Sequence, residues 1–361
     1  MVIETGAAGV IWAVAFRSDG MQLLSGHNDG LRRWRVDGQE AGNRMGMDVV
    51  AISVSRDGKW IVCGTGKGAS VWDAETQKKA IEVEGTEYVG AVDVSPESTR
   101  FATTVATGEG DGHKAIIWNI ITGKRLVGLK HDDYIAGIKF SPNGEHIATA
   151  VEDHAIHVFD SRNGDQLITI KTDISSSWPS TPLAWSNDGL HIFAACGNPE
   201  IKSFDVSTGS QLAEAQVQGD GRLDSIALAA NGKFLATSAG HFTSFWDTST
   251  LTQIGPVIED SQAVFSLALS PDFSHLATGG GGGEITIRNL DNILPDLYGP
   301  FRVSIHTFTI LSDKSYIHSP LDISLRHLLK KNPHLKVGCK YKARRLRLRQ
   351  STTARHPTRL R

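Results

Sequence analysis

The sequence predicts an all-β chain: a seven-bladed β-propeller of four-stranded antiparallel blades, followed by a basic, mostly disordered C-terminal tail. Three observations carry that expectation. One kind of turn recurs seven times at near-constant spacing, it is flanked by runs that alternate apolar and polar residues, and the charge balance changes abruptly near residue 323.

The clearest unit is residues 129–164, LKHDDYIAGIKFSPNGEHIATAVEDHAIHVFDSRNG. Tyr134 to Phe140 alternates with the period-2 pattern of a half-buried strand. Ser141-Pro142-Asn143-Gly144 reads as a turn, with Pro pre-setting φ and Asn-Gly supplying positive φ. His146 to Ala150 and Ile156 to Phe159 read as the second and third strands, and Asn163-Gly164 turns the chain into a fourth at Gln166–Ile170. The first turn recurs as RSDG (17–20), SRDG (55–58), SPES (95–98), SPNG (141–144), SNDG (186–189), ANG (230–232) and SPDF (270–273). From Phe16 to Leu269 is 253 residues over six intervals, a period near 42. Units of about 40–45 residues with four strands each are the signature of propeller blades. The blades start near residues 10, 48, 88, 134, 180, 222 and 263, and the propeller occupies 1–312.

The third strands end in Trp72-Asp73, Trp118-Asn119, Phe159-Asp160, Phe204-Asp205 and Trp246-Asp247. With these endings in phase, residues 8–290 resemble the WD40 repeat family, in particular eukaryotic, fungal-type arrays of mixed blade quality. The resemblance implies a non-enzymatic platform for protein partners, monomeric within a larger complex, with no cofactor or metal. It also implies a structural hydrogen-bonded set of His, Ser/Thr, Asp and Trp in each blade. Blade 4 keeps His131, Thr149 and Asp153, with Phe159 in place of Trp, while blade 1 keeps Ser25, Asp29 and Trp34 and lacks the His. In this family the top of each innermost strand borders the central channel, a common docking surface. Six residues back from each turn stand Val10, Asp48, Tyr88, Tyr134 and Arg222. Tyr and Arg are the types that anchor interfaces. Trp178, an aromatic in the Ser/Pro-rich connection 171–182, is a further protein-binding candidate.

Closure of the ring is an open point at this level. Only three residues separate Gly6 from a first strand beginning at Val10, which leaves no room for an outer strand there. The alternating run Phe301–Leu311 is therefore expected to pair with the third strand at Ile285–Asn289, the alternative being an open seam.

Other chemistries find little support. His154 and His157 lie three apart, on opposite faces of a strand, and so do not chelate together. GEGDGH (108–113) has too few ligands for a calcium loop. The glycine runs at 64–68 and 279–283 lack GxxxxGK[ST] and a following helix, which excludes a phosphate loop. Three cysteines, Cys63, Cys196 and Cys339, without CxxC spacing fit a reducing compartment, and Cys63 and Cys196, in second strands, read as small core residues. No signal peptide or membrane span is indicated, so a cytoplasmic or nuclear location is expected.

The charge is divided. From Ile323 onward there are 13 Lys and Arg and no Asp or Glu, so residues 1–322 hold 24 of the 37 basic residues and all 39 acidic ones, a formal −15. Residues 313–361 are read as a separate tail with a short helix near 320–331, capped by Ser319 and Pro320 and carrying Leu321, Leu325, Leu328 and Leu329. Lys340, Lys342, Arg344, Arg345, Arg347 and Arg349 then suit nuclear import or phosphate binding, the alternative function, or a plain unstructured extension.

Overall fold

The computed structural model describes residues 1–298 except 7, 8, 47, 84–87, 106–112, 175–181, 198, 220, 221, 296 and 297. Phe301–Leu311, the helix near 320–331 and the basic tail lie outside the described residues. So do Trp178 and all of GEGDGH except His113.

Seven antiparallel sheets form a ring, because the inner strand of each blade neighbours those of the blades before and after it, blade 1 meeting blade 7. Blade 4 runs Ile135–Phe140, His146–Val151, Ala155–Asp160 and Gln166–Lys171, each strand within two residues of the expected ends. Blade 1 has three regular strands, Ala13–Phe16, Gln22–His27 and Gly30–Arg35. Its fourth is reduced to the bridges Trp34–Glu40 and Leu31–Met45.

Short polar side chains build the turns. In blades 2, 3, 4, 5 and 7 the Ser that opens the inner turn accepts the backbone N–H five residues on, as from Trp60 to Ser55 at 2.8 Å, Arg100 to Ser95 at 3.0 Å and His146 to Ser141 at 2.9 Å. The Asp or Asn closing each third strand caps the next turn. Asp73 accepts from the Thr76 N–H at 2.7 Å, Asn119 from Thr122 at 2.8 Å and Asp205 from Thr208 at 2.8 Å. Such Asx turns are why these residue types recur at fixed offsets. Bonds from the Ser207 hydroxyl and from Thr208 hold the Asp205 carboxyl at about 2.

The core is divided among the gaps between blades. Each gap holds one apolar cluster, such as Ala51, Val62, Val89, Phe101 and Trp118 between blades 2 and 3. Another is Ala148, Val158, Leu183, Trp185 and Phe204 between blades 4 and 5.

The seam departs from the sequence reading. The free edge of Glu284–Asn289 is taken by Val2–Glu4, in antiparallel register Val2–Thr286, Ile3–Ile285 and Glu4–Glu284. Thr5 Oγ1 donates to the Gly283 carbonyl at 2.7 Å, and the Ile287 N–H to the Met1 carbonyl at 2.8 Å. Neither closure by 301–311 nor an open seam is what the structure has. The expectation failed because it sought an outer strand after Gly6. The strand lies before it, and the first inner strand begins at Ala13, not Val10. Ile3 is buried in the blade 7–blade 1 cluster with Ile11, Phe16, Trp34 and Ile285.

After Asn289 a 3-10 turn, Leu290–Asn292, sends the chain back toward blade 6. Leu290 and Leu294 join the cluster of Phe234, Phe245 and Ile254. Tyr298 Oη donates to Asp247 Oδ2 at 2.7 Å.

Ile3→Ala should cost about 2–4 kcal/mol, the usual price of emptying a buried aliphatic site, read as a lower urea midpoint. An unchanged midpoint would mean that residues 2–4 do not close the ring.

Candidate protein-docking rim

The seven inner strands enclose a central channel of about 460 Å³. One residue before the end of these strands stand four alanines, Ala15, Ala184, Ala227 and Ala268, and three polar residues, Ser53, Asp93 and Lys139. The polar three occupy adjacent blades. Lys139 Nζ meets Asp93 Oδ1 at 2.8 Å, Asp93 Oδ2 accepts the Phe140 N–H at 2.9 Å, and Ser53 Oγ accepts the Val94 N–H at 3.1 Å. These bonds satisfy inner-strand donors that no sheet neighbour reaches.

Above the channel, at the start of the inner strands, lie the rim positions. Tyr88 and Tyr134 precede the inner strands of blades 3 and 4 and are both half-buried. They converge on Gly90, which lines the channel. A Cβ placed on Gly90 would lie 2.9 Å from Tyr88 Cε1, 3.3 Å from Tyr88 Oη and 3.2 Å from Tyr134 Oη. The missing side chain at position 90 is what lets two phenols from neighbouring blades share one seat. Asp48 is exposed at positive φ, 55°, with its carboxylate against Gly66. Burial raises the Tyr88 phenol well above its ordinary pKa, and the neighbouring Tyr134 and Asp48 add to the effect. Tyr134 is raised by burial and then by Glu152. Both phenols therefore stay neutral hydrogen-bonding groups.

Arg222 is exposed before the inner strand of blade 6, three blades from Tyr88, and does not join this group. Across the ring a second aromatic pair crosses the blade 7–blade 1 boundary: Trp12 and Phe265 stack with centroids 6.2 Å apart and planes 14° from parallel. Trp12 Nε1 donates to Asn28 Oδ1 at 2.5 Å. Counting six residues back from the turns misses this pair and lands on Val10 and Ala263. The inner strands of blades 2, 4, 6 and 7 carry bulges near their tops, between Val49/Ala51, Ile135/Gly137, Leu223/Ser225 and Val264/Ser266. A bulge adds a residue and changes which face a fixed count reaches.

The blade networks beneath the rim hold a further correction. In blade 1, Trp34 Nε1 donates to Ser25 Oγ at 2.7 Å, and Ser25 Oγ also meets His27 Nε2 at 2.7 Å. The imidazole that blade 1 lacks in its preceding loop thus comes from His27, two residues along the same strand as Ser25. Asp29 binds Arg32, at 2.6 Å, and Arg44, at 2.8 Å. The buried Arg32 guanidinium also donates to the Thr5 carbonyl, joining this network to the closing strand.

In blade 4, Thr149 Oγ1 lies 3.4 Å from His131 Nε2, and the His131 ring meets Phe159 edge-on at 5.3 Å. Asp153 Oδ2 pairs with His157 Nε2 at 2.9 Å. Indole-to-hydroxyl bonds also occur in blades 2, 3 and 6, as Trp72–Ser70 at 2.8 Å, Trp118–Thr103 at 2.9 Å and Trp246–Thr237 at 2.9 Å. The sequence reading passed these over because it sought the complete set of four.

His154 pairs with Asp173 at 2.5 Å, away from His157. Among the described residues no three or more His, Cys, Asp or Glu side chains converge as a metal site, and no helix is long and apolar enough to cross a membrane. Burial lifts the Cys196 thiol to about 11 and Cys63 likewise upward, which leaves both protonated in the core.

His27 gives the site network a pH signature. Burial first, then the Arg32 charge, lowers its pKa to about 4 from 6.5. The folded state therefore takes up this proton later than the unfolded state as pH falls. The stability tied to neutral His27 is complete above pH 6.5 and drains away between 6.5 and 4. Between pH 7 and pH 5 the loss should be about 2 kcal/mol. Urea denaturation at the two pH values should show that loss in the native protein and a much smaller one in His27→Gln.

With this geometry in hand, comparison by sequence gives one family: the model described as WD domain, G-beta repeat matches residues 123–160. That span runs from the turn before the outer strand of blade 3 to the end of the third strand of blade 4. No curated protein matches the chain.

Proposed function

We propose that the chain, whose seven-bladed fold and match to the WD domain, G-beta repeat model over residues 123–160 support a place in the WD40 repeat family, is, as such propellers generally are, a protein-interaction scaffold, non-enzymatic, that docks protein segments on the top face and rim loops. The observation that carries this reading is the Tyr88–Tyr134 pair on Gly90 at the channel mouth. Tyrosines that bury a ring and keep a polar tip are the side chains around which interface energy concentrates. Asp48 supplies a neighbouring charge, and Trp12 with Phe265 supplies apolar surface on the opposite side of the rim.

The charge of residues 323–361 favours a second reading, in which Lys340, Lys342, Arg344, Arg345, Arg347 and Arg349 bring the scaffold to nucleic acid or the nucleus.

The double variant Tyr88→Ala/Tyr134→Ala should stay folded by circular dichroism and lose about tenfold or more of its captured proteins, the scale of a lost hot spot. Quantitative mass spectrometry of lysate captured on the full chain, with and without nuclease, makes the comparison. Undiminished capture by the folded variant removes the top face from the reading. Partners that vanish with nuclease move the function to the tail.

A further inference from the structure

The rim around the two tyrosines is rich in carboxylates. Asp48, Asp132 and Glu152 are exposed, and the half-buried Asp133 accepts the Tyr134 N–H at 2.8 Å. Among the described residues none of these four carboxylates enters an ion pair, whereas elsewhere on the top face Asp29, Asp173 and Asp260 are each matched by a cation or histidine. The exposed Lys67 stands beside Gly66, where the Asp48 carboxylate sits, and Arg44, four residues before Asp48, is taken up by Asp29. The backbone holds Glu152 directly at Tyr134 and holds Asp48 in its own loop. The Glu152 N–H donates to the Tyr134 carbonyl at 2.9 Å, and the Asp48 N–H to the Asn28 carbonyl at 2.9 Å. Two aromatic rings with unmatched carboxylates on either side form a receptor for an extended cation. The ring faces attract the charge, and the carboxylates take its hydrogen bonds.

We infer that the protein segment docking here is basic, with a Lys or Arg side chain set against Tyr88 and Tyr134 and with Asp48 and Glu152 as counter-charges. This inference rests on the docking function proposed above and names the chemistry of the docked partner. A cation at this point extends over Gly90 toward the channel, where Asp93 is already paired with Lys139. Recognition therefore stays at the mouth.

The test is fluorescence anisotropy of labelled octapeptides on the full chain, with alternating Lys-Ala, Arg-Ala, Ser-Ala and Glu-Ala sequences as probes. The Lys-Ala and Arg-Ala peptides are expected to bind saturably, more weakly as salt is added, and the other two not to bind. Asp48→Asn/Glu152→Gln should weaken the basic peptides about tenfold or more, because it removes both counter-charges of the bound cation at once. Gly90→Ala, which drives a methyl between the phenols, should do the same without touching any charge. Glu75→Gln, in an exposed turn on the opposite face, should leave affinity within about twofold, because isolated surface charges contribute little.

Equal affinity of the basic peptides for the native chain and Asp48→Asn/Glu152→Gln overturns the inference, because the attraction is then the diffuse charge of the body. So does the absence of saturable binding up to about 1 mM. If Ser-Ala binds as tightly as Lys-Ala and is lost in Tyr88→Ala/Tyr134→Ala, the rim docks segments but not basic ones. Indifference of every captured protein to the tyrosine variants overturns the docking reading itself.

Discussion

The structure depends on closing a ring. A four-stranded blade has two faces and cannot bury either alone, so each blade supplies half of two apolar clusters and every cluster belongs to a gap. One missing contact would expose two faces at once. That is why three residues, Val2–Glu4, matter out of proportion to their length: they cover the edge of blade 7 and place Ile3 in the gap with blade 1. Arg32 fixes the end of that strand through the Thr5 carbonyl, and the same guanidinium helps keep His27 neutral. Seam, blade network and proton uptake are linked by one buried cation.

The channel shows the same economy. Inner strands that converge on an axis favour small side chains, hence four alanines at one level, and the N–H groups on their free edge have no sheet partner. Side chains of the preceding blade supply acceptors: Ser266 for Val14 at 3.0 Å, Ser53 for Val94 and Asp93 for Phe140. Ser53, Asp93 and Lys139 fall in blades 2, 3 and 4, the sector whose mouth carries Asp48, Tyr88 and Tyr134. The wall of the ring is therefore most polar beneath the two tyrosines.

What could be read beforehand follows the range of each interaction. Turns such as SPNG and the Asp after each Trp or Phe are built by bonds spanning two to five residues, so their spacing disclosed blade count and period. The closing strand pairs Ile3 with Ile285, and nothing near Val2 announces a partner so distant. His27 escaped notice because the imidazole was sought in the preceding loop. Phe265 escaped because the bulge between Val264 and Ser266 changed the face on which a fixed count lands, and Trp12 because the inner strand of blade 1 begins at Ala13, not Val10. Asp48, Tyr88 and Tyr134 were nameable singly, but their grouping depends on the absent side chain at Gly90.

The closing strand also sets an order of events on the ribosome. Residues 2–4 emerge about 280 residues ahead of their partners at 284–286. At about 5–20 residues per second that is a wait of roughly a quarter of a minute to a minute. Through all of it blade 1 stands with an unmatched face, holding Phe16 and Leu23 ready for a neighbour not yet made. The nascent chain is thus a row of blades with two raw ends, and a helper that shields exposed apolar surface would be needed most at the first blade, not the last.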